Sequence, residues 1–207
     1  MRTKTMPNTS HFFAYISRLR WIKRWSLMRN AIHEDVAVHS WEVATVAHAL
    51  AVIHNNVSIK EPGREPIDAY RLATIAIYHD ASEVITGDMP TPVKYHSEAM
   101  KKAYQGIERK AQHELLSLLP KAMQADFASV IIEDSLPEIY QTLLKAADRL
   151  SALLKCRAEL RAGNKEFEQA EKDIFVRLTE MNCSEVDYFL TVFAPGYEMN
   201  LDNLLER

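Results

Sequence analysis

The chain has few cysteines, and neither sign of charge dominates it. Cys156 and Cys183 are the only two cysteines among 207 residues, and no short spacing relates them. A disulfide framework is therefore not expected, and a reducing cytoplasm is the predicted location. The formal net charge of -3 provides no basic field for a phosphate backbone, so polymeric nucleic acid is not an expected partner.

Long apolar runs and strand-type patterns are also missing. No apolar run approaches the roughly twenty residues needed to cross a bilayer, and no secretory signal precedes the cysteines, so no membrane association is expected. Alternating apolar and polar stretches bounded by turn dipeptides are absent, which predicts little or no sheet. Hydrophobic residues make up 47% of the chain, which has only 5 glycines. Helix formers dominate the long segments, and the composition predicts an all-α protein.

The length and the spacing of apolar residues predict one domain. Residues 1–9 lack periodicity and are expected to form a mobile tail, followed by a single helical domain over residues 10–207. Apolar residues three and four positions apart predict the successive helices. Their approximate ranges are 12–22, 36–54, 67–85, 97–119, 122–132, 138–162, 164–181 and 184–194.

Two histidines and two aspartates lie at the edges of these apolar helix faces. His79 and Asp80 are adjacent near the end of the third helix, His39 lies in the second helix, and Asp148 lies among apolar residues of a later helix. Burying an unpaired carboxylate costs several kcal/mol, and a divalent cation would compensate its charge. The four side chains therefore predict a mononuclear metal site. For Asp148 alone, a buried salt bridge to an arginine is the alternative.

The order of these residues resembles the H…HD…D pattern of the HD-domain metal-dependent phosphohydrolases. Further segments resemble the bacterial 5′-deoxynucleotidases within that superfamily, and the match extends over nearly the whole chain from Ser10. These segments are Arg24-Trp25, His39-Ser40, His79 to Glu83, Thr86 to Lys94 and Lys145 to Asp148. The sequence departs from the pattern in the tail, in residues 55–66 and at Val38, where an acidic residue is expected before the first ligand histidine.

The resemblance implies a fold, a metal and an assembly. The expected fold is a compact multi-helix HD-domain bundle with its central part at about 36–153 and the metal in its core. The expected cofactor is one divalent transition metal ion per chain, Co²⁺ or Mn²⁺ before Zn²⁺, Ni²⁺, Fe²⁺ or Cu²⁺, since mixed imidazole and carboxylate ligands suit these ions better than Ca²⁺. A homodimer is also implied. Surplus apolar residues near the C-terminus permit it but are equally suited to the monomer core, and they include Phe175, Tyr188, Phe189 and Phe193.

The resemblance also implies a reaction, the hydrolysis of deoxyribonucleoside 5′-monophosphates to deoxyribonucleoside and phosphate. The implied metal ligands are His39, His79, Asp80 and Asp148. The implied catalytic residues are Glu83, Asp88 and Arg24. The implied substrate contacts are Arg24, Trp25, His39, Asp80, Glu83, Asp88, Met89, Pro90, Thr91 and Asp148. In this interpretation Arg24 orients the phosphate and Trp25 lies against the sugar.

The residues alone leave several roles open. Glu83 follows His79 by one helical turn, so it could activate water or be a solvated residue at a helix end. Asp88 follows Gly87, so it could transfer a proton, contact the sugar or cap the next turn. Without the resemblance, Arg24-Trp25 is typical of a surface cation beside a buried aromatic ring. Which of Glu83 and Asp88 activates the water is open.

Two other functions compete with this prediction. Another HD phosphohydrolase would act on nucleoside triphosphates, cyclic nucleotides or alarmones, but polyphosphates require several cations and only Arg24 and Lys94 lie near the motifs. The small number of cationic side chains near the motifs favours a nucleoside monophosphate as the substrate. The second alternative is a non-catalytic helical module in which the metal is structural and has no open coordination position.

Overall fold

The computed structural model describes residues 9–205, and within this range the chain is helical without a strand. The helices are α1 (Phe12–Ile16), α2 (Val36–Asn56), α3 (Ala69–Tyr78), α4 (Glu83–Thr86), α5 (Thr91–Lys94), α6 (Glu98–Ser117), α7 (Lys121–Ile131), α8 (Glu138–Arg161), α9 (Glu168–Thr179), α10 (Ser184–Val192) and α11 (Leu201–Leu205). The all-α prediction is confirmed. The predicted mobile tail lies outside the described residues except for Thr9.

Helix α2 is the centre of the core, where it packs against α3, α8 and α10. Its buried Val43, Ala47 and Leu50 belong to one apolar cluster with residues of α3, α8 and α10. The Asp35 carboxylate caps the helix by accepting hydrogen bonds from the backbone N–H groups of residues 37 and 38 over 2.9 and 3.0 Å. This cap fixes the first turn of α2, and with it the position of His39.

Contrary to the expectation from the sequence, one segment, Val36–Lys60, which contains α2, is by length and composition apolar enough to cross a membrane. However, 56% of its most apolar window is buried inside the domain. Apolar residues surround a helix on all sides when neighbouring helices enclose it, so this hydropathy is that of a core helix.

The predicted third helix over 67–85 is wrong in one respect, because it is two helices separated by a turn. Helix α3 ends at Tyr78, and α4 begins at Glu83. Between them the backbone N–H groups of Ala81 and Glu83 donate to the carbonyls three residues earlier, each over 3.0 Å. These tighter bonds turn the chain, so His79 and Asp80 lie in a corner rather than on one helix face.

Short 3-10 turns also replace the ends of two predicted helices. The first predicted helix is α-helical only to Ile16 and continues as the 3-10 turn Ser17–Trp21. The segment predicted as a helix over 164–181 begins with the 3-10 turn Lys165–Phe167 before α9. After the 3-10 turn Ser17–Trp21, a loop from Ile22 to Asp35 leads into α2. An isolated antiparallel bridge between Lys23 and Asp35 joins the two ends of this loop.

Candidate active site

Four side chains from three parts of the chain meet beside the core. His39 lies in α2, His79 and Asp80 in the corner after α3, and Asp148 in the middle of α8. Nε2 of His39 is 3.1 Å from Asp148 Oδ1 and 3.6 Å from Asp80 Oδ2, and Nε2 of His79 is 3.1 Å from Asp80 Oδ2. The ligand atoms of His39, His79 and Asp80 lie within 4.8 Å of one another, and Asp148 adjoins this group through His39.

The His79 imidazole is oriented so that its Nε2 can bind a metal ion. Nδ1 of His79 is 2.7 Å from the carbonyl oxygen of Ala76, and because a carbonyl only accepts, this nitrogen carries the proton. Nε2 of a neutral His79 ring therefore keeps its lone pair. Nε2 of His39 and of His79 are both buried. A carboxylate oxygen lies 3.1 Å from each, but neither nitrogen makes a hydrogen bond of acceptable geometry among the described residues. Buried polar atoms normally have partners, so the residues present fit a divalent metal ion.

The charges around the cluster favour a cation. Burial lowers the pKa of His79, but the adjacent Asp80 outweighs burial and raises it to about 10, so a metal ion that binds Nε2 would displace a proton from this atom at neutral pH. Burial raises the pKa of Asp80, but His79 outweighs burial and holds it well below its ordinary value. Burial also raises the pKa of Asp148, and here His39 prevails and lowers it. The carboxylates thus remain ionised and attract positive charge at this point.

The apolar neighbours of Asp148 in α8 suggested a buried side chain, but 43% of the Asp148 side chain is exposed. Its ion pair among the described residues is with His39 and not with an arginine. The side chain reaches a cavity instead of the apolar interior. This position is compatible with contact to both a metal and a substrate.

Arg24 is a buried cation at the edge of the cluster. Only 13% of its side chain is exposed, so it is not the surface cation of the alternative interpretation. Nε donates to Glu34 Oε1 over 2.8 Å, and Nη1 lies 3.5 Å from Asp80 Oδ2. Burial lowers the pKa of Arg24, but carboxylates led by Asp80 outweigh it and raise the pKa above its ordinary value. The guanidinium therefore stays charged beside the cluster.

Glu34 is a residue of the site that sequence reasoning missed. An acidic residue was expected at position 38, directly before His39, but Val38 occupies it and is exposed. The acidic residue beside His39 is instead Glu34, whose Oε1 lies 3.6 Å from His39 Nδ1 and whose side chain is 6% exposed. The bridge between Lys23 and Asp35 brings Glu34 alongside Arg24, and no sequence spacing indicates this pairing.

Glu83 and Asp88 are both partly shielded from solvent. Oε2 of Glu83 is buried without a partner, and burial, reinforced by Asp80 and Asp88, raises the pKa of Glu83 to about 9. Glu83 is therefore not a solvated residue at a helix end. Burial also raises the pKa of Asp88. Asp88 follows Gly87, whose φ of +72° suits glycine, and its side chain makes no hydrogen bond in the described part of the chain, so it is not a cap.

Two cavities adjoin this group of residues. The first, here called the metal-side cavity, has a volume of about 640 Å³. Its walls include His79, Asp80, Glu83, Glu133 and Asp148. The second, here called the nucleoside-side cavity, has a volume of about 460 Å³. Its walls include Arg24, Trp25, Asp88, Met89, Pro90, Thr91 and Arg177. The predicted substrate residues, except His39, thus divide between two spaces of the size of small-molecule pockets, and His39 lines neither.

The family described as 5′-deoxynucleotidase YfbR-like matches residues 11–197. The chain belongs to this family. A 5′-deoxynucleotidase yfbR of Photorhabdus temperata is 48% identical over 195 residues, which are 94% of this chain and 96% of the relative. A 5′-deoxynucleotidase of Vibrio vulnificus is 47% identical over 195 residues, which are 94% of this chain and 98% of the relative. The predicted family and enzyme class are confirmed.

Solved structures show the same fold. An HD-domain phosphohydrolase from Listeria innocua superposes with a TM-score of 0.76 at 23% identity, covering 92% of this chain and 90% of that one. The HD phosphohydrolase of cyanophage S-2L, solved with dA and one catalytic Zn²⁺ ion, superposes with a TM-score of 0.65 at 17% identity, covering 88% and 96%. At these identities the likeness concerns the fold alone, and it confirms the predicted HD-domain architecture.

Two cations of this 5′-deoxynucleotidase differ from the sequence-based expectation. Lys94, the other cation near the motifs, pairs with Glu108 over 2.8 Å and lies 4.9 Å from the centre of the Tyr104 ring. It joins α5 to α6, so its charge is already matched. Arg177 of α9 lines the nucleoside-side cavity and was missed, because only the packing of α9 on α8 brings it there.

Proposed function

We propose that this member of the YfbR-like family hydrolyses deoxyribonucleoside 5′-monophosphates, with one divalent transition metal ion held by His39, His79, Asp80 and Asp148. The observation that carries the proposal is the pair of buried Nε2 atoms of His39 and His79, each 3.1 Å from a carboxylate oxygen and without a hydrogen bond among the described residues. His79 and Asp80 line the metal-side cavity, and Arg24, which adjoins Asp80, lines the nucleoside-side cavity. Co²⁺ or Mn²⁺ is the expected ion, and Zn²⁺, Ni²⁺, Fe²⁺ and Cu²⁺ are the alternatives with compatible ligand preferences.

Arg24 would neutralise the phosphate together with a metal ion held by the cluster. A divalent cation at the cluster supplies Lewis-acid polarisation of the phosphoryl group and acidifies water. Arg24 uses Nε and Nη1 for Glu34 and Asp80, which leaves other N–H groups of its guanidinium for phosphate oxygens. Because both partners are nearly buried, the guanidinium is fixed before the substrate arrives. Such preorganised charge is effective in stabilising a phosphoryl-transfer transition state.

Glu83 and Asp88 divide the proton transfers between them. Glu83 lines the metal-side cavity, so we assign to it the proton of the attacking water. It must be ionised for this role, and the positive charge of a divalent cation at the cluster would oppose the burial and the carboxylates that raise its pKa. Asp88 lines the nucleoside-side cavity with Trp25, so we assign to it the contact with the sugar and the proton taken up by the leaving 5′-oxygen. Burial raises the pKa of Asp88, which favours a carboxyl that can hold this proton.

Selection for the deoxy sugar follows from exclusion at the nucleoside-side cavity. Trp25 and Asp88 would lie against C2′ of the sugar, with Met89, Pro90 and Thr91 completing the wall. A ribose 2′-hydroxyl would then clash or lose its hydrogen bonds to water without gaining a partner. An unpaired buried polar group costs about 1–3 kcal/mol, which is enough for useful discrimination.

The test is phosphate release by chelator-stripped protein to which Co²⁺, Mn²⁺, Zn²⁺ or Mg²⁺ is restored singly. The substrates are dAMP and AMP as a matched pair, with dATP and cyclic AMP as probes of the other HD phosphohydrolase activities. We expect metal-dependent release from dAMP and far less from the other three. Preferential hydrolysis of dATP or cyclic AMP, or activity that survives stripping, would contradict the proposal.

We further propose that residues 10–207 act as one catalytic domain in a cytoplasmic homodimer. Of the apolar residues considered from the sequence, Phe189 belongs to the core, whereas Phe175 and Phe193 are exposed. Trp41 of α2 and Tyr70 of α3 are also exposed, at 66% and 79%. Exposed aromatic side chains of this size favour contact with another chain. Light scattering with size-exclusion chromatography would give twice the chain mass for a dimer and the chain mass if the proposal is wrong.

A further inference from the structure

The loop that carries Arg24 and Trp25 is closed at its two ends by the bridge between Lys23 and Asp35, but between these ends it has no regular secondary structure. Trp25 has a φ of 55°, a left-handed conformation that residues other than glycine rarely adopt. Its carbonyl oxygen accepts hydrogen bonds from the backbone N–H of Met28 over 3.0 Å and from Asn30 Nδ2 over 3.2 Å. Such a conformation persists only where its surroundings enforce it, so the remainder of the loop must be anchored.

The anchor is Glu159, a fully buried glutamate near the end of α8. Its Oε2 accepts from the backbone N–H of Ala31 over 2.8 Å, and its Oε1 accepts from that of Ile32 over 2.9 Å. Asn164 Nδ2 donates to Oε2 over 2.8 Å, and Lys155 Nζ donates to Oε1. The carboxylate therefore holds two consecutive loop residues and is itself held by two side chains.

Asn164 and Lys155 also bind the loop directly. Asn164 Nδ2 donates to the carbonyl oxygen of Arg29 over 2.7 Å, and Lys155 Nζ donates to that of Ile32. Both N–H and C=O groups of the loop are thus bound by side chains from the end of α8 and the residues after it. These hydrogen bonds restrict movement of the loop relative to α8.

Helix α8 carries the anchor and the candidate metal ligand on the same side. Glu159 follows Asp148 by eleven residues, which is about three turns and returns to nearly the same face of a helix. Ser151 and Lys155 lie between them on this face and are buried, and Ser151 Oγ is 3.4 Å from His39 Nδ1. One rigid element therefore sets the position of the loop relative to the metal cluster.

From these contacts we infer that Glu159 is a positioning residue that determines sugar selectivity by fixing the loop of Arg24 and Trp25. The inference rests on the proposed function, in which Trp25 lies against the sugar. Glu159 does not line either cavity beside the cluster, so it acts only through the loop. A loose loop would still bring Arg24 to the phosphate part of the time, but it would not hold the indole close enough to exclude a 2′-hydroxyl. A displacement of about 1 Å is sufficient to change rates by as much as about 10²-fold.

The test compares Glu159→Gln with Glu185→Gln in the metal-loaded enzyme. Glu185 is the matched control, because it is also fully buried and accepts hydrogen bonds from side chains, namely His54, Arg64 and Cys183. The readout is the ratio of kcat/KM for dAMP to that for AMP, measured well below the Tm of every variant. We expect Glu159→Gln to lower this ratio about tenfold, and Glu185→Gln to lower Tm without changing the ratio.

Each further outcome has a definite meaning. An unchanged ratio in Glu159→Gln, or an equal fall in both variants, would overturn the inference and leave Glu159 a purely structural residue. If Trp25→Ala also left the ratio unchanged, the proposed role of Trp25 would be wrong; a change in Trp25→Ala alone would refute only the inference about Glu159. If Glu159→Gln does not fold, Asn164→Ala removes two donors of the same anchor and must lower the ratio for the inference to stand.

Discussion

Arg24 and Glu34 form a buried ion pair, with Nε and Oε1 2.8 Å apart, at the edge of the candidate metal cluster. The same Oε1 lies 3.6 Å from Nδ1 of His39, so one carboxylate adjoins both the cation assigned to the phosphate and a candidate metal ligand. A hydrogen bond to a charged group contributes about 1.5–3 kcal/mol, which corresponds to about 10- to 150-fold in rate. We therefore expect Glu34→Ala to lower kcat/KM for dAMP by at least about tenfold.

The control for this prediction is the metal content of the same variant. If Glu34 acts mainly through Arg24, Glu34→Ala binds metal as the unchanged enzyme does, and mass spectrometry of the purified protein would show this. A variant with unchanged kcat/KM would contradict the role of the ion pair. Loss of metal together with activity would instead assign Glu34 to the support of His39.

Glu83→Gln should reduce kcat without reducing stability. Oε2 of Glu83 is buried and has no hydrogen-bond partner within residues 9–205, so no hydrogen bond of that atom there contributes to folding. Removing acid-base assistance typically costs about 10²-fold or more. We expect such a fall in kcat, with Tm unchanged or raised. Glu108→Gln is the matched control in the same cavity, because Glu108 pairs with Lys94 and is expected to leave kcat nearly unchanged. Equal activity of the two variants would exclude the assignment.

Trp25→Ala should relax the preference for deoxynucleotides. The indole packs 5.2 Å from the Phe167 ring, between centroids, and forms part of the wall of the nucleoside-side cavity. Without it a ribose 2′-hydroxyl gains room and water, so kcat/KM for AMP should approach that for dAMP. Trp21→Ala is the control, since Trp21 is exposed and contacts Arg18 instead. An unchanged ratio of the two substrates in Trp25→Ala would disprove the exclusion mechanism.

The sequence predicted the parts of the site that depend on helical periodicity. Helix α2 was expected over 36–54 and is found at Val36–Asn56, and the inward position of His39 followed from its spacing to apolar residues. The corner after α3 was not predicted, because Ala76 to Ile85 has the composition of a continuous helix. The end of the helix is visible only in the structure, from the backbone hydrogen bonds of the corner and from the hydrogen bond between His79 Nδ1 and the carbonyl oxygen of Ala76.

Residues that tertiary packing brings to the site could not be predicted. Glu34 and Arg177 reach it from a loop and from a distant helix, and no periodicity relates either to the HD motif. The polar face of α8 could have been predicted from the sequence. Ser151, Lys155 and Glu159 follow Asp148 at steps of three, four and four, which is the spacing of a helix face, but one that is normally apolar.

Removal of the metal should lower stability without unfolding the chain. A ligand that binds only the native state at about 100 times its Kd stabilises by about 2.7 kcal/mol, which corresponds to about 5–10 °C in Tm for a chain of this size. We expect chelator-stripped protein to keep its helical circular dichroism and to regain this shift with Co²⁺ or Mn²⁺. His79→Ala should lose the shift, and His48→Ala, which alters a histidine that stacks on Tyr70 away from the cluster, should keep it. Equal shifts in both variants would place the metal elsewhere.

The anchor at Glu159 should contribute to stability at neutral pH but not in acid. Burial raises the pKa of Glu159, but hydrogen bonds, of which that from Lys155 is the strongest, outweigh burial and lower it to about 2. In the unfolded chain a glutamate has a pKa of about 4.3. The folded state thus binds the proton less readily than the unfolded state, so the contribution is complete above about pH 4.3 and is lost as the pH falls towards about 2.

Stability measurements on Glu159→Gln as a function of pH test this contribution. Leaving the partners of a buried acceptor unsatisfied costs about 1–3 kcal/mol, so Glu159→Gln should unfold about 2–12 °C lower than the unchanged chain near neutral pH. This difference in Tm should stay constant down to about pH 5 and then decrease in more acidic solution. Titration of the other carboxylates affects both proteins and cancels in the difference. A difference that persisted undiminished to about pH 2 would show that the ionised carboxylate is not what holds the loop.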